Sequence, residues 1–394
     1  MVLTAEKLWD GAKLLDRPMV LIEDGRIACI TTRAAGEAPA NMRVLDYPGA
    51  TLAPAFLDVH IHGAAGHDVM EATPEALNTI GRFLATRGTG SFLATTVTAP
   101  LDATLRALSE LAKLAARPPD ADQAQARLLG IHLEGPFLSH LKRGVHPPEH
   151  LLAPDLRLFD RLFEAAEGQI RLMTLAPELP GAVELVAHAT ARGVRVSLGH
   201  SSAAAAATHA AIAAGAVSAT HTFNSMRALD HREPGIVGVV LTTDSLFAEL
   251  ICDGVHIAPE IVKLWWRVKG PERAILVTDA MSATGMPDGE YQLGGFEAGF
   301  SVQVANGRAT VAGVLAGSVL TLDRALANFV GFTGAPLEQA LRLLTANPAT
   351  MTGLGDQAGS IAIGQPANLV AVDSAGKLIA SIHHGQPASN PLTH

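Results

Sequence analysis

FLDVHIHG, residues 56–63, closes an apolar run with two histidines, His60 and His62, one alternation apart. In a strand, side chains at i and i+2 point the same way, so both imidazoles can reach one point in space. A metal ion requires that convergence. A strand that surfaces into a loop with both rings solvated would carry the same letters, so the pair alone leaves two readings open.

Outward from this stretch the chain repeats a rhythm. TLAPAFLDVHIH is followed by GSFLATTVT, ARLLGIHLEGP, IRLMTLAPE, GVRVSLGHS, AVSATHTFN, LFAELICDGVH and RAILVTDAMS, eight β-type runs in all. Amphipathic segments separate them. In LDATLRALSELAKLAAR, Leu101, Leu105, Leu108 and Leu111 or Ala112 recur at close to helical spacing, behind a cap expected at Asp102. Eight β-then-α units predict an α/β fold of the (β/α)8 TIM-barrel type, which typically takes about 250 residues. After the eighth run, DGEYQLGGFEAGFSVQVANGRATVAGV has hairpin chemistry, with a turn at Asn306 and Gly307, and predicts a β insertion near 289–313. Helix returns in LTLDRALANFVGF and PLEQALRLLTANPA, where Asn347-Pro348 is expected to end the last one.

Both chain ends read as β. VLIEDGRIACI places a DG turn between apolar runs, and GSIAIGQPANLVAVDSAGKLIASIHHG alternates turns with β-branched stretches. Residues 1–52 and 355–394 are therefore expected to pair as a small β-sandwich domain built from both termini, bracketing a barrel at 53–354.

At 394 residues, 48% hydrophobic and 17% charged, the chain can bury a large core. A net charge of −9 without a basic block argues against a nucleic-acid partner, though a single phosphate on a small ligand needs only a few donors. MVLTAEKLWDGAK lacks the apolar core of a secretory signal, and SSAAAAATHAAIAAGAV is too weakly apolar to span a bilayer, so no membrane partner is expected. Two cysteines, Cys29 and Cys252, suit a reducing cytoplasm.

Chemistry in such a barrel sits on the loops at the C-terminal ends of the strands. Those ends carry His60 and His62 on strand one, Glu134 on three, His200 on five, His221 on six, His256 on seven and Asp279 on eight. Strand four ends in TLAPE, without a lysine. Any one of these residues fits an ordinary satisfied histidine or turn carboxylate. Six of eight strands delivering an imidazole or carboxylate to one rim fits a divalent-metal site better.

With DVHIHG, HLEGPF, GVHPP, LGHS, ATHTFNSM, HREPG, DGVH, TDAMSATG, LAGS and LTANPA in that order, the chain resembles the amidohydrolase superfamily and, within it, the N-acetylglucosamine-6-phosphate deacetylases. The resemblance implies a divalent metal cofactor, zinc first, with iron, manganese or cobalt as alternatives, and one or two ions per chain. Glu134, His200 and His221 would hold the principal ion, and His60 and His62 can hold a second. Asp279 would act as general base and then acid, and His146, beside Val145, would stabilise the oxyanion. Asn224, Ser225 and Arg232 would meet the phosphate, Arg232 in its own or its partner's site within a homodimer. His256 would meet a sugar hydroxyl, and the loop Leu315, Ala316, Gly317 and Ser318 would close over the substrate. The implied reaction is metal-dependent hydrolysis of the acetamide of N-acetyl-D-glucosamine 6-phosphate in amino-sugar catabolism or cell-wall recycling. N-acetylgalactosamine 6-phosphate, another N-acyl substrate, a deamination, or a catalytically silent barrel are the alternatives.

Overall fold

The computed structural model describes residues 1–36, 41–117, 123–295 and 299–388. Eight parallel strands form one sheet in sequential order: Phe56–Ile61, Thr89–Thr95, Arg127–Glu134, Ile170–Leu175, Arg195–Leu198, Ala216–Ala219, Phe247–Ile251 and Ala274–Val277, here strands one to eight. They are buried along almost their whole length, as parallel strands covered by helices require. Between them lie helices such as Pro74–Thr86, which starts behind Thr73, whose Oγ1 accepts the Ala76 N–H, and Leu156–Ala165, capped by Asp155.

Strands one and eight close the ring unevenly. At the rim, the Asp279 N–H donates to His60 O at 2.9 Å and the His62 N–H to Ala280 O at 2.8 Å. At the opposite end, Leu57 N and Leu276 N donate instead to the carbonyls of Leu344 and Leu343, which wedge between the strands. Between these levels the Thr278 hydroxyl donates to the buried Asp58 carboxylate at 2.6 Å. The closure is therefore firmest at the C-terminal rim, where side chains must be held to tenths of an ångström.

The two ends of the chain join in a second eight-stranded sheet whose central strands are Val2–Trp9, Val44–Pro54 and Leu369–Val372. Leu3, Leu8, Ile27, Leu52, Leu369 and Ile382 share its own core. Gly364 N donates to Ile27 O and Ala367 N to Gly25 O, so opposite parts of the sheet fold over that core. The Asp24-Gly25 turn, both residues at positive φ, joins Pro18–Glu23 to Arg26–Thr32, as its sequence predicts. The β insertion is present as Gly289–Leu293, Phe300–Ala305, Arg308–Val311 and Val314–Leu315, with the expected turn at Asn306 and Gly307. It packs on the rim through Leu293, Val302 and Val304 against Val97 and Met281.

Three local expectations change. TLAPAFLDVHIH is not one strand: Val44–Pro54 belongs to the terminal sheet, and the barrel strand begins at Phe56, because Ala55 N donates to Asn368 O and turns the chain between sheets. Asp102 does not cap its helix, which already starts at Leu101 behind Pro100. It sits in the first turn, where its charge still suits the helix dipole. Asn347-Pro348 lies in the first turn of a further helix, Ala346–Thr352, where proline's missing N–H costs nothing. The Asn347 amide reaches the carbonyls of Pro271 and Ala274.

Candidate active site and metal centre

The expected rim residues converge. Glu134 is the last residue of strand three, and His200, His221 and Asp279 each stand two residues beyond their strands. These three adopt left-handed φ of 47°, 29° and 51°. Such a conformation costs a non-glycine residue roughly 1–2 kcal/mol, so its recurrence at the rim marks side chains re-aimed inward at the expense of backbone comfort.

The donor atoms lie at ligand-like spacings. Glu134 Oε1 is 3.2 Å from His200 Nε2 and 3.4 Å from His221 Nε2, and the two nitrogens are 3.1 Å apart. Glu134 Oε2 is 3.5 Å from His60 Nε2 and 3.3 Å from His62 Nε2, with those nitrogens 3.3 Å apart. Asp279 Oδ1 lies 3.4 Å and 3.1 Å from the same nitrogens and can itself group with His60 and His221. Around a tetrahedral ion with bonds of about 2.0–2.1 Å, ligand atoms stand about 3.3–3.4 Å apart. Both sets fit a divalent ion, with Glu134 shared between them, and Asp279 belongs to the donor cluster as well as to the rim.

The far side of each ring fixes its near side. His62 Nδ1 lies 2.9 Å from Thr95 O and His200 Nδ1 3.0 Å from Lys142 O, so each Nδ1 carries the proton and each Nε2 lone pair faces the cluster. His146 is held the other way. The Thr98 N–H donates to its Nδ1 at 3.3 Å, which leaves Nε2–H as a donor, 3.7 Å from Glu134 Oε2.

Electrostatics agree. Burial opposes charge on His60 and His62, but Glu134 and Asp279 overcome it and raise both, His62 to about 9. Burial would raise the carboxyls of Glu134 and Asp279, yet the surrounding histidines hold both well below the usual range. Without an ion the cluster therefore collects protons, and a divalent cation would take their place. His146 goes the other way: burial, helped by neighbouring His200, lowers it to about 3 and keeps it neutral.

A cavity of about 240 Å³ opens over the cluster. Val145, His146, Asn224, Ser225, His256, Leu315 and Gly317 line it together with His62, Glu134, His200, His221 and Asp279, while His60 lies below the lining. Gly144, Val97, Leu293 and Val314 line it too, the last two brought by the insertion. Ala316 and Ser318 do not: both are buried beneath the loop, where Ser318 Oγ donates to Thr278 O and Ser318 N to Asp279 O, bracing strand eight. Arg232 is exposed on a turn anchored by Asp230 and is not among the residues lining this chain's own cavity. His256 Nδ1 is gripped by Asp253 at 2.7 Å. Burial works against its charge, but Asp253 prevails and raises it.

Several residues of the site escaped the sequence reading. Asp253 was within view in DGVH. Glu249 is a fully buried acid inside the apolar FAELI, 3.6 Å from His60 Nδ1. An acid interrupting a buried strand was the available signal. His132, two residues before Glu134, stacks edge-on against His60 and bonds Val59 O and Thr174 Oγ1. Burial, reinforced by His60, pushes its pKa well down, so it supports the site as a neutral ring.

A closed parallel barrel with a carboxylate-bridged imidazole cluster at its C-terminal rim defines a hydrolase of the metal-dependent barrel class. The Amidohydrolase family model matches residues 51–393, and the chain belongs to that family. It is 39% identical over 374 residues to the N-acetylgalactosamine-6-phosphate deacetylase of Escherichia coli O157:H7, covering 95% of each chain. It is 40% identical over 323 residues to the N-acetylglucosamine-6-phosphate deacetylase of Vibrio furnissii, covering 82% of this chain and 79% of that one. The solved structure of a mutant N-acetyl-D-glucosamine-6-phosphate deacetylase from Mycobacterium smegmatis, in complex with N-acetyl-D-glucosamine-6-phosphate, superposes with a TM-score of 0.89 at 35% identity, covering 99% of both chains.

Proposed function

We propose that this chain hydrolyses the acetamide of N-acetyl-D-glucosamine 6-phosphate to glucosamine 6-phosphate and acetate. The observation that carries the reading is Glu134, whose two oxygens address two imidazole pairs beneath a sugar-sized cavity. Glu134, His200 and His221 would hold one ion, and His60, His62 and Glu134 a second, with Asp279 beside it. Imidazole and carboxylate donors suit zinc best in this reading, and iron, manganese or cobalt also fit. A bound divalent ion supplies a nucleophile at neutral pH by acidifying water, and it polarises the carbonyl.

The chain's own groups do the rest. Asp279 accepts the proton at its carboxylate as attack proceeds and returns it to the departing amine nitrogen. His146 donates its Nε2–H to the carbonyl oxygen as negative charge develops there, and its tautomer and low pKa keep that donor in place. Asn224 and Ser225 receive the phosphate and His256 a sugar hydroxyl. Leu315 and Gly317 close the cavity. Arg232, exposed and outside its own cavity lining, serves the site of a second copy in a homodimer. Among the described residues no helix is long and apolar enough to cross a membrane. Both cysteines are unpaired, which supports a cytoplasmic setting.

Acetate release from the phosphorylated sugar, its unphosphorylated form and the galactosamine epimer tests this directly. A kcat/KM for the glucosamine phosphate far above the unphosphorylated sugar is expected, and activity on none of the three would overturn it. Near-equal identity to the galactosamine-phosphate enzyme favours a second reading in which the epimer is the better substrate, and the same assay ranks the two.

A further inference from the structure

We propose that Glu249 is a positioning residue that makes the His60/His62 side of the rim a second metal position. The inference rests on reading those histidines as ligands and extends it to a residue outside the motifs that point to the site. Glu249 lies in the middle of strand seven, fully buried between Ala248 and Leu250. Its Oε2 is 3.6 Å from His60 Nδ1, an ion-pair separation longer than a hydrogen bond, and 3.4 Å from the backbone N–H of His221. One oxygen thus addresses a residue from each half of the donor cluster.

The need on both sides is specific. Among the described residues neither Glu249 Oε1 nor His60 Nδ1 has a hydrogen-bond partner. A buried carboxylate this poorly supplied with donors is costly unless a cation compensates it. His62 and His200 are oriented by backbone carbonyls, Thr95 O and Lys142 O. His60 Nδ1 faces no backbone carbonyl among the described residues and has Glu249 on that side. The negative charge of a carboxylate on that side favours the proton on Nδ1, which leaves the Nε2 lone pair toward the rim and makes the ring a stronger donor. A neutral carbonyl would orient the ring with less gain in donor strength.

The test is metal titration of the whole chain. Ion-free protein, Glu249→Gln and Glu249→Leu are titrated with Co²⁺ by calorimetry and by the visible absorption of the ion, with elemental analysis at saturation. Wild type is expected to bind in two steps. In Glu249→Leu the weaker step should lose about 10–100-fold in affinity, the usual cost of removing a partner behind a ligand, while the tighter step stays within about threefold. Glu249→Gln, which keeps a polar oxygen of the same shape beside Nδ1 but not the charge, should lose less. A single ion in wild type, no change in either variant, or an equal loss at both steps would overturn the proposal. Circular dichroism and ion-free melting check the fold, and if Glu249→Leu does not fold, Glu249→Gln decides alone. Inactivity toward every sugar phosphate with two-step binding intact would overturn the substrate reading and leave this one standing.

Discussion

Protonating His383 is expected to weaken the seam between the terminal sheet and the barrel. His383 closes the strand Leu378–His383, and its Nε2 reaches Ala85 O, near the end of the helix Pro74–Thr86, at 3.2 Å and Ser381 Oγ at 2.9 Å. Its Nδ1 is buried without a partner among the described residues, so a proton there would be an uncompensated charge. Burial accordingly depresses the pKa from 6.5 to about 4. Because the folded value lies below the unfolded one, the unfolded chain takes up the proton first. The stabilisation is complete above 6.5 and is lost as pH falls toward 4. Fully expressed it is worth about 3.4 kcal/mol, of which about 2 kcal/mol is gone by pH 5. Denaturant unfolding of wild type and His383→Gln at pH 7.5 and pH 5 isolates this contribution, since His146 and the rim histidines titrate alike in both proteins. Wild type should lose about 2 kcal/mol more than the variant between the two pH values. Parallel losses would refute the reasoning.

Four further outcomes bear on the site. Asp279→Asn is expected to lower kcat by about 10²–10⁴-fold with metal content near wild type, measured by steady-state kinetics and elemental analysis; loss of metal in step with activity would make Asp279 chiefly a ligand. His146→Phe removes the Nε2–H donor and should cost about 10²–10³-fold in kcat with little change in KM. Arg232→Ala should raise KM for the phosphorylated sugar and leave turnover of the unphosphorylated one unchanged, and equal losses on both would remove Arg232 from phosphate binding. Chelation should abolish activity and lower the melting temperature, with both restored by added divalent ion. An ion at 1,000 times its Kd contributes about 4.1 kcal/mol to stability.

What could be read in the letters follows from what repeats. The barrel was legible because eight buried runs alternate with amphipathic stretches, and the candidate ligands were legible because each sits where such a run stops. Local boundaries were less so. TLAPAFLDVHIH is continuous in hydropathy, and only the pairing of Thr51–Pro54 with Leu369–Val372, more than 300 residues away, divides it between two sheets. Asp102 reads equally well as a cap or as a first-turn acid, and the helix in fact starts one residue earlier, behind Pro100. The LAGS loop reads as a single lid, yet backbone alternation turns Leu315 and Gly317 to the cavity and buries Ala316 and Ser318. Glu249 and His132 act through other residues, and such support carries no spacing of its own.

Strand four gives the arrangement its logic. It ends in Leu175 with no ligand, and Glu178, the nearest acid beyond it, spends its carboxylate on Ser201 and Ser202, holding the loop behind His200. Inside the barrel, Thr174 of the same strand joins His132 Nε2 at 2.8 Å and Thr220 Oγ1 at 2.7 Å, and Thr220 donates onward to Ser197. Strand four therefore contributes polar support beneath the rim, and the oxygens that stand between the two histidine pairs come from Glu134 on strand three. That placement has a consequence for charge. Glu134 faces both histidine pairs, His60/His62 and His200/His221, so removing it leaves all four without their shared anion. Losing either histidine pair leaves Glu134 with the other. Glu134→Gln is thus expected to empty both positions, whereas His60→Ala should empty one, and metal analysis of the two variants separates a shared carboxylate from one that serves a single ion.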